Sequence, residues 1–171
     1  TDTAFEVSAD KLDRFATLYG YTEDDPLAQI ERVETSPFIS AVSGIPVKMH
    51  SGGGGLTSTA VDYLRFAQMM LNRGELDGQR ILKPETVALM TRNHLPLHML
   101  PLTFNGVAKG AYNGYGFGLG YCINIDPTHT AAAGSAGDFS WGGLADTYCW
   151  VDPQQQLIGI LMQQYIPSLH H

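Results

Sequence analysis

The sequence predicts an α+β fold, with helices in the middle of the chain and an antiparallel sheet at its end. Two observations carry that expectation. Apolar residues recur at helical spacing between residues 60 and 73, and again after Pro84. The final third instead runs in aromatic and β-branched stretches, "YGFGLGYCINI", "GLADTYCWVD" and "QLIGILMQQY". Turn residues at Asp126-Pro127 and Asp152-Pro153 separate them, so consecutive strands are expected to form an antiparallel meander.

Each element follows from local chemistry. "SADKLDRFATLY" predicts a short helix from Ser8, and residues 20 to 49 read as surface loop with short extended pieces. The strongest helix opens after "HSGGGGLTST", where Thr59 and Asp62 fit a T-x-x-D capping box. Ala60, Tyr63, Leu64, Ala67, Met70 and Leu71 form its apolar stripe, and Gly74 is expected at C′ as the stop after Arg73. Asp77-Gly78 predicts a turn. Pro84 then sits where a first helical residue is favoured, and Val87, Leu89 and Met90 extend that second helix to about Arg92. "LPLHMLPLTFNGVAKGAYNG" is broken by proline and glycine and reads as an irregular crossing.

Composition excludes several classes. Ten basic residues against seventeen acidic ones give a net charge of −7, with no basic patch to meet a phosphate backbone, so no nucleic-acid partner is expected. No apolar run reaches the roughly 18 residues of a membrane span. The N-terminal stretch lacks the basic start and apolar block of a signal peptide. Cys122 and Cys149 lie in apolar, strand-like contexts and are expected to be buried free thiols. His94 and His98 have the spacing of a helical metal pair, but Pro96 breaks the helix and no H-E-x-x-H pattern is present. No metal and no cofactor are expected.

Two glycine features remain. Gly52 to Gly55 is not a Walker loop, because Leu56 follows where that motif needs a lysine. It is not a dinucleotide fingerprint either, since no strand precedes it in a βαβ unit. Nor is it a linker, because strong apolar patterning resumes at once. Either the backbone passes close to another surface of the chain, or the loop lines a ligand. Trp141-Gly142-Gly143, within "DFSWGGLADTYCWVDP", poses a similar choice. It is either a tight turn or bulge carrying a core tryptophan, or a substrate-facing edge whose backbone must be approached closely.

"GGGGLTSTAVDYLRFAQMMLNRGELDGQRILKPETVALM", with "GYGFGLGY" and "DFSWGGLADTYCWVDPQQQLIGILMQQ", closely resembles the serine β-lactamase-related family. That family includes class C-type β-lactamases, DD-peptidases, and esterases and transesterases of the same fold. The matching motifs follow in order over nearly the whole chain. The resemblance implies an antiparallel sheet flanked by helices, with the active site at an edge strand. On that strand Trp141, Gly142 and Gly143 match the family's Lys-Thr-Gly-like triplet. It further implies that the Leu144 backbone N–H is one of two oxyanion-hole donors, and that Gly54 and Gly55 pass near the acyl site. Asp146 stands where relatives commonly have glycine or a small residue, and is expected to be an outward-facing carboxylate.

The family's nucleophile is the serine of an S-x-x-K motif, aided by a tyrosine from a Y-x-N-like motif. Only "SADK", Ser8 to Lys11, matches formally. Its place before the glycine loop is wrong for the family order, so Ser8 is expected to be a helix N-cap and Lys11 a solvated side chain. Residues 1–171 therefore read as the C-terminal portion of one catalytic domain, without the nucleophile half and without the helix that closes the sheet. An uncovered sheet face and open edge lead to the expectation of a partner, either the N-terminal half of the same domain or a second copy. The expected activity is acyl transfer or hydrolysis of a small-molecule ester or amide, with the isolated chain inactive. A non-catalytic β-lactamase-like binding module is the main rival. An unrelated all-β binding domain would require the helix at 60–73 not to form.

Overall fold

The computed structural model describes residues 2–21, 30–33, 47–103 and 110–166. The chain divides into two compact units. The first takes the residues up to Tyr63, with Leu144–Thr147 and the segment from Met162, and the second takes Leu64–Gly143 and Tyr148–Leu161. Much of the loop expected between residues 20 and 49 falls at 22–29 and 34–46, outside the described residues.

In the first unit, "ADKLDR" forms a 3₁₀ helix, Ala9–Arg14, in place of an α-helix. Ser8 sits at its N-cap without a capping bond. Lys11 is not free in solvent as expected: its Nζ donates to Asp2 Oδ1 at 2.7 Å, and Arg14 donates to the other Asp2 oxygen at 2.8 Å. Residues 2–4 lie along the stretch before the long helix, with an antiparallel bridge between Ala4 and Thr57. The strands β1 (Tyr19–Tyr21) and β2 (Ile30–Arg32) pair antiparallel. On the other side of β1 comes the chain's last strand, in parallel, with Tyr19 opposite Tyr165 and Gly20 opposite Ile166.

Helix α1 (Ala60–Leu71) begins as a capped helix, though only half of the expected capping box forms. The Asp62 N–H donates to Thr59 Oγ1 at 3.2 Å. The Asp62 carboxylate does not reach back to Thr59; it accepts from the Asp2 N–H (2.6 Å) and Thr3 Oγ1 (2.9 Å). A rival acceptor demand from the N-terminal strap has taken over the second half of the motif. The C-terminus also differs by one position. Arg73, at φ 57°, occupies the left-handed C′ place, and Gly74, at φ 93°, follows it. Gly74 N–H reaches the Met69 carbonyl (2.8 Å) and Arg73 N–H the Met70 carbonyl (3.0 Å), which is the Schellman pattern.

The second unit continues with a hairpin of β3 (Glu75–Leu76) and β4 (Gln79–Arg80). Asp77 and Gly78 at its tip have φ values of 50° and 74°, as a type I′ turn requires. Helix α2 (Pro84–Met90) has Pro84 in its first turn as expected, but stops short of Arg92. Five antiparallel strands then follow in simple order: β5 (Tyr115–Phe117), β6 (Cys122–Asn124), β7 (Phe139–Gly142), β8 (Tyr148–Asp152) and β9 (Leu157–Leu161). The expected meander forms, with different boundaries. "YGFGLGYCINI" is two strands around a turn, because Gly118 to Tyr121 reverse the chain. "QLIGILMQQY" is split between β9 and β10 (Tyr165–Ile166), and β10 belongs to the first unit's three-stranded sheet.

The core lies on one face of the meander. Ala67, Met69 and Met70 of α1 and Val87 of α2 pack with Ile123, Phe139 and Val151. The buried α1 residues follow the later part of the predicted stripe, with Met69 joining it, while Ala60 is exposed and Leu64 stays 45% exposed. Cys122 and Cys149 are free thiols as expected, but only Cys122 is buried; Cys149 is half-buried.

Candidate active site on strand β7

Trp141 and Gly142 end β7, and Gly143 follows directly after it. This strand is central to the meander and not an edge strand, which corrects the expectation carried by the resemblance. The β6 ladder meets β7 at Phe139 and Ser140, whereas the β8 ladder runs on through Trp141 and Gly142. Phe139 is buried at 2% exposure; Trp141, two residues later, is 40% exposed. The triplet thus begins where the β6 ladder has ended.

Trp141 is held from one side by an aromatic contact. The Phe117 ring meets the indole edge-on, with centroids 4.9 Å apart and planes at 83°. Phe117 itself is clamped by the loop after α2. Its N–H donates to Asn93 Oδ1 (3.0 Å), and its carbonyl accepts from the His94 N–H (2.8 Å). Asn93 also takes the Leu95 N–H and returns its own amide to the Leu95 carbonyl. Gly116 and Gly118 make this approach possible: a Cβ on the first would collide with the Asn93 side chain, and on the second with the Met90 carbonyl. Sequence reasoning passed over Phe117 and Asn93. An aromatic residue bracketed by glycines, G-F-G, was the available signal.

The remaining predicted site residues lie in the first unit. Leu144 is 54% exposed, and the neighbouring Ala145 carbonyl accepts from the Tyr165 N–H at 3.0 Å. Asp146 is only 4% exposed and adopts φ 68°, so the expectation of an outward surface carboxylate is overturned. A left-handed position explains why glycine suits it; Asp tolerates that conformation better than most residues. Gly55 has φ 88°, and a Cβ there would meet the Phe5 ring at 3.7 Å. Phe5 stacks in turn on His50, with centroids 4.6 Å apart. Gly54 has nothing within 4 Å of a Cβ. Gly55 is thus explained by its left-handed backbone and not by a close approach, since the Phe5 ring stands at ordinary van der Waals distance. For Gly54 no such neighbour is found among the described residues.

In the second unit neither cysteine nor Ser140 is placed as an activated nucleophile. Burial pushes the Cys122 thiol up to about 12 and the Cys149 thiol up to about 11, so neither is a thiolate near neutral pH. Ser140 is buried and accepts the Tyr148 hydroxyl at 2.8 Å; burial raises that phenol above its ordinary value, against the lowering effect of this bond. In the first unit the formal Ser8–Lys11 pair is pulled apart chemically. Ser8 helps hold the Asp10 carboxyl below its ordinary range, and Lys11 is bound to Asp2. His94 and His98 do not share a helix: α2 ends at Met90, a 3₁₀ turn spans Leu97–Met99, and His94 Nε2 bonds the Leu89 carbonyl at 2.8 Å. Among the described residues no group of three or more His, Cys, Asp or Glu could hold a metal, and no helix is long and apolar enough to cross a membrane.

This chain belongs to the β-lactamase family, whose model matches residues 1–167. Two curated relatives from Mycobacterium tuberculosis, Protein Rv1367c of strain H37Rv and Uncharacterized protein MT1414 of strain CDC 1551 / Oshkosh, are each 38% identical over 99% of this chain. The chain spans 41% of the length of these relatives. Among solved structures it is similar to the LovD6 mutant of simvastatin synthase from Aspergillus terreus, at 23% identity and a TM-score of 0.75. That match covers 98% of this chain and 41% of the other. EstCE1, described as a hydrolase with promiscuous acyltransferase activity, matches at 24% identity and a TM-score of 0.70, over 96% of this chain and 42% of its own. The helix-flanked antiparallel sheet is thus the β-lactamase/transpeptidase-like fold.

Proposed function

We propose that residues 1–171 form the Trp-Gly-Gly side of an acyl-transfer site, as the C-terminal portion of one serine-hydrolase catalytic domain. The observation that carries this reading is the half-exposed Trp141 at the head of Gly142-Gly143, at the end of a β7 whose family is β-lactamase. In this reading a serine upstream of the chain attacks the carbonyl of an ester or amide, the alcohol or amine leaves, and water or a second alcohol releases the acyl group. Trp141, Gly142 and Gly143 line the acyl site. The Leu144 N–H donates to the oxyanion, where charge develops only in the transition state. Tryptophan in place of a lysine removes the cation that would meet a β-lactam carboxylate, and so favours esters. The likeness to a hydrolase with acyltransferase activity supports the same direction.

The chain's partner in this reading is the N-terminal half of the same domain. A non-catalytic binding module is the second reading, and it would hold if no upstream S-x-x-K serine completes the site. An assay with p-nitrophenyl acetate separates them. A polypeptide joining this chain to an upstream S-x-x-K segment is expected to turn over the ester, and the isolated 171 residues are expected not to. Turnover by the isolated chain would overturn the assignment of the nucleophile. Inactivity of the joined polypeptide on esters and amides alike would leave the binding module as the answer.

A further inference from the structure

We infer that Phe117 is a positioning residue that sets the acyl-chain selectivity of the site by fixing the Trp141 indole, an inference that rests on the acyl-transfer reading above. The physical case begins with rigidity. Phe117 is bonded through both backbone polar groups to the Asn93-His94 loop and is paired with Cys122 on β6. Its neighbours on both sides are glycines with no room for a Cβ, so this short strand is pressed against the loop after α2. The backbone that carries the ring is thus fixed, and the ring meets the indole of Trp141 edge-on.

Trp141 keeps 40% of its surface exposed while its contact with Phe117 is made, so an indole held by that ring still presents surface to a ligand. A large flat side chain at the mouth of an acyl pocket decides how much chain fits beside it. Rotating it about χ1 or χ2 would change that space without touching any group that reacts. The edge-on geometry restrains such rotation, because a T-shaped aromatic pair loses its favourable quadrupole alignment when one ring turns. Asn93 thereby acts at two removes: it holds Phe117, and Phe117 holds the indole. Neither residue needs to touch substrate.

The test uses the polypeptide joined to its upstream serine segment and labelled with 5-fluorotryptophan, with Trp141→Phe and Trp150→Phe assigning the resonances of those two positions. Phe117→Leu is expected to move the Trp141 resonance and leave that of Trp150 in place. It is expected to change the kcat/KM ratio for p-nitrophenyl butyrate over acetate by about fivefold, the scale of one aromatic pair. The value for acetate alone should stay within about twofold. Phe117→Tyr keeps the ring and should restore both the resonance and the ratio. In a Trp141→Phe background, Phe117→Leu should have no further effect on the ratio. An unmoved Trp141 resonance overturns the proposal at its first step, and a moved resonance with an unmoved ratio overturns it at the second. If Phe117→Leu fails to fold, Asn93→Ser loosens the ring from behind, and an unmoved ratio there overturns the proposal equally. A parent polypeptide active on neither ester would overturn the acyl-transfer reading itself, an outcome distinct from an active parent with fixed selectivity.

Discussion

The two units of this chain both contain glycine-rich stretches, and the run Gly52–Gly55 answers to different physical demands from the glycines that flank Phe117. In the first unit, Gly52 and Gly54 face open space, and only Gly55 combines a left-handed backbone with an aromatic neighbour, Phe5. In the second, Gly116 and Gly118 sit against the Asn93 side chain and the Met90 carbonyl, where any Cβ would be driven into another atom. The interiors differ in the same way. Among the described residues the first unit buries the hydrophobic residue Leu18, while the second buries Ala67, Met69, Met70, Val87, Cys122, Ile123, Phe139 and Val151. One unit is tied by exposed charges and backbone bridges. The other is packed. Composition alone treats the two glycine stretches alike; their neighbours separate them.

This contrast can be broken by substitution, beginning with the largest effect. Gly118→Ala forces a methyl against a backbone carbonyl that cannot swing aside, and should cost about 3 kcal/mol by urea unfolding. A loss below about 1 kcal/mol would mean that β5 and the end of α2 are less closely packed than the contacts indicate. Asn93→Ala removes the acceptor of the Phe117 and Leu95 N–H groups in a half-buried place, and should cost about 1–2 kcal/mol. If it proves neutral, water replaces the amide and the clamp on Phe117 is weak.

The charged strap of the first unit is a smaller matter. Lys11, and then Arg14, hold the Asp2 carboxyl down to about 2 from an ordinary 3.8. Because the folded value lies below the unfolded one, this contribution is fully present above pH 3.8 and is lost as pH falls toward 2. The pairs are exposed, so salt should weaken the effect. Thermal unfolding of Asp2→Asn, compared with the parent across that window, should lose the acid-sensitive component; an identical pH profile would rule the strap out. Least of all, Gly54→Ala should change stability by no more than about 0.5 kcal/mol, on the stabilising side, since its φ is not left-handed and no atom stands in the way. A clear destabilisation would show that Gly54 has a close neighbour after all.

Much of the fold was legible in residue order. The α1 stripe, the proline at the start of α2, the Asp77-Gly78 turn and the meander all follow from patterns a few residues long. The failures share a different character. The capping box lost its second half because Asp62 met Asp2, some sixty residues away in sequence. "QLIGILMQQY" reads as one strand by its own pattern, but its last residues pair in parallel with β1. Asp146 looked like a surface carboxylate because nothing nearby in sequence reports that its chain segment is covered. For the candidate site, the triplet Trp141-Gly142-Gly143 could be picked out as unusual from local chemistry, and a family resemblance gave it a role. Its place on a central strand, and the ring that restrains its indole, could not be read the same way.

By itself the sequence determined the fold class, the helices, the turns and the family, because periodicity, capping and turn propensity act over one or two turns of chain. Tertiary structure alone decided which glycines are sterically required, which strand joined which sheet, and that Phe117 lies edge-on to Trp141. The reason is distance along the chain. Asn93 and Phe117 are bonded across 24 residues, and no local pattern encodes the approach of two segments that meet only when the chain has folded.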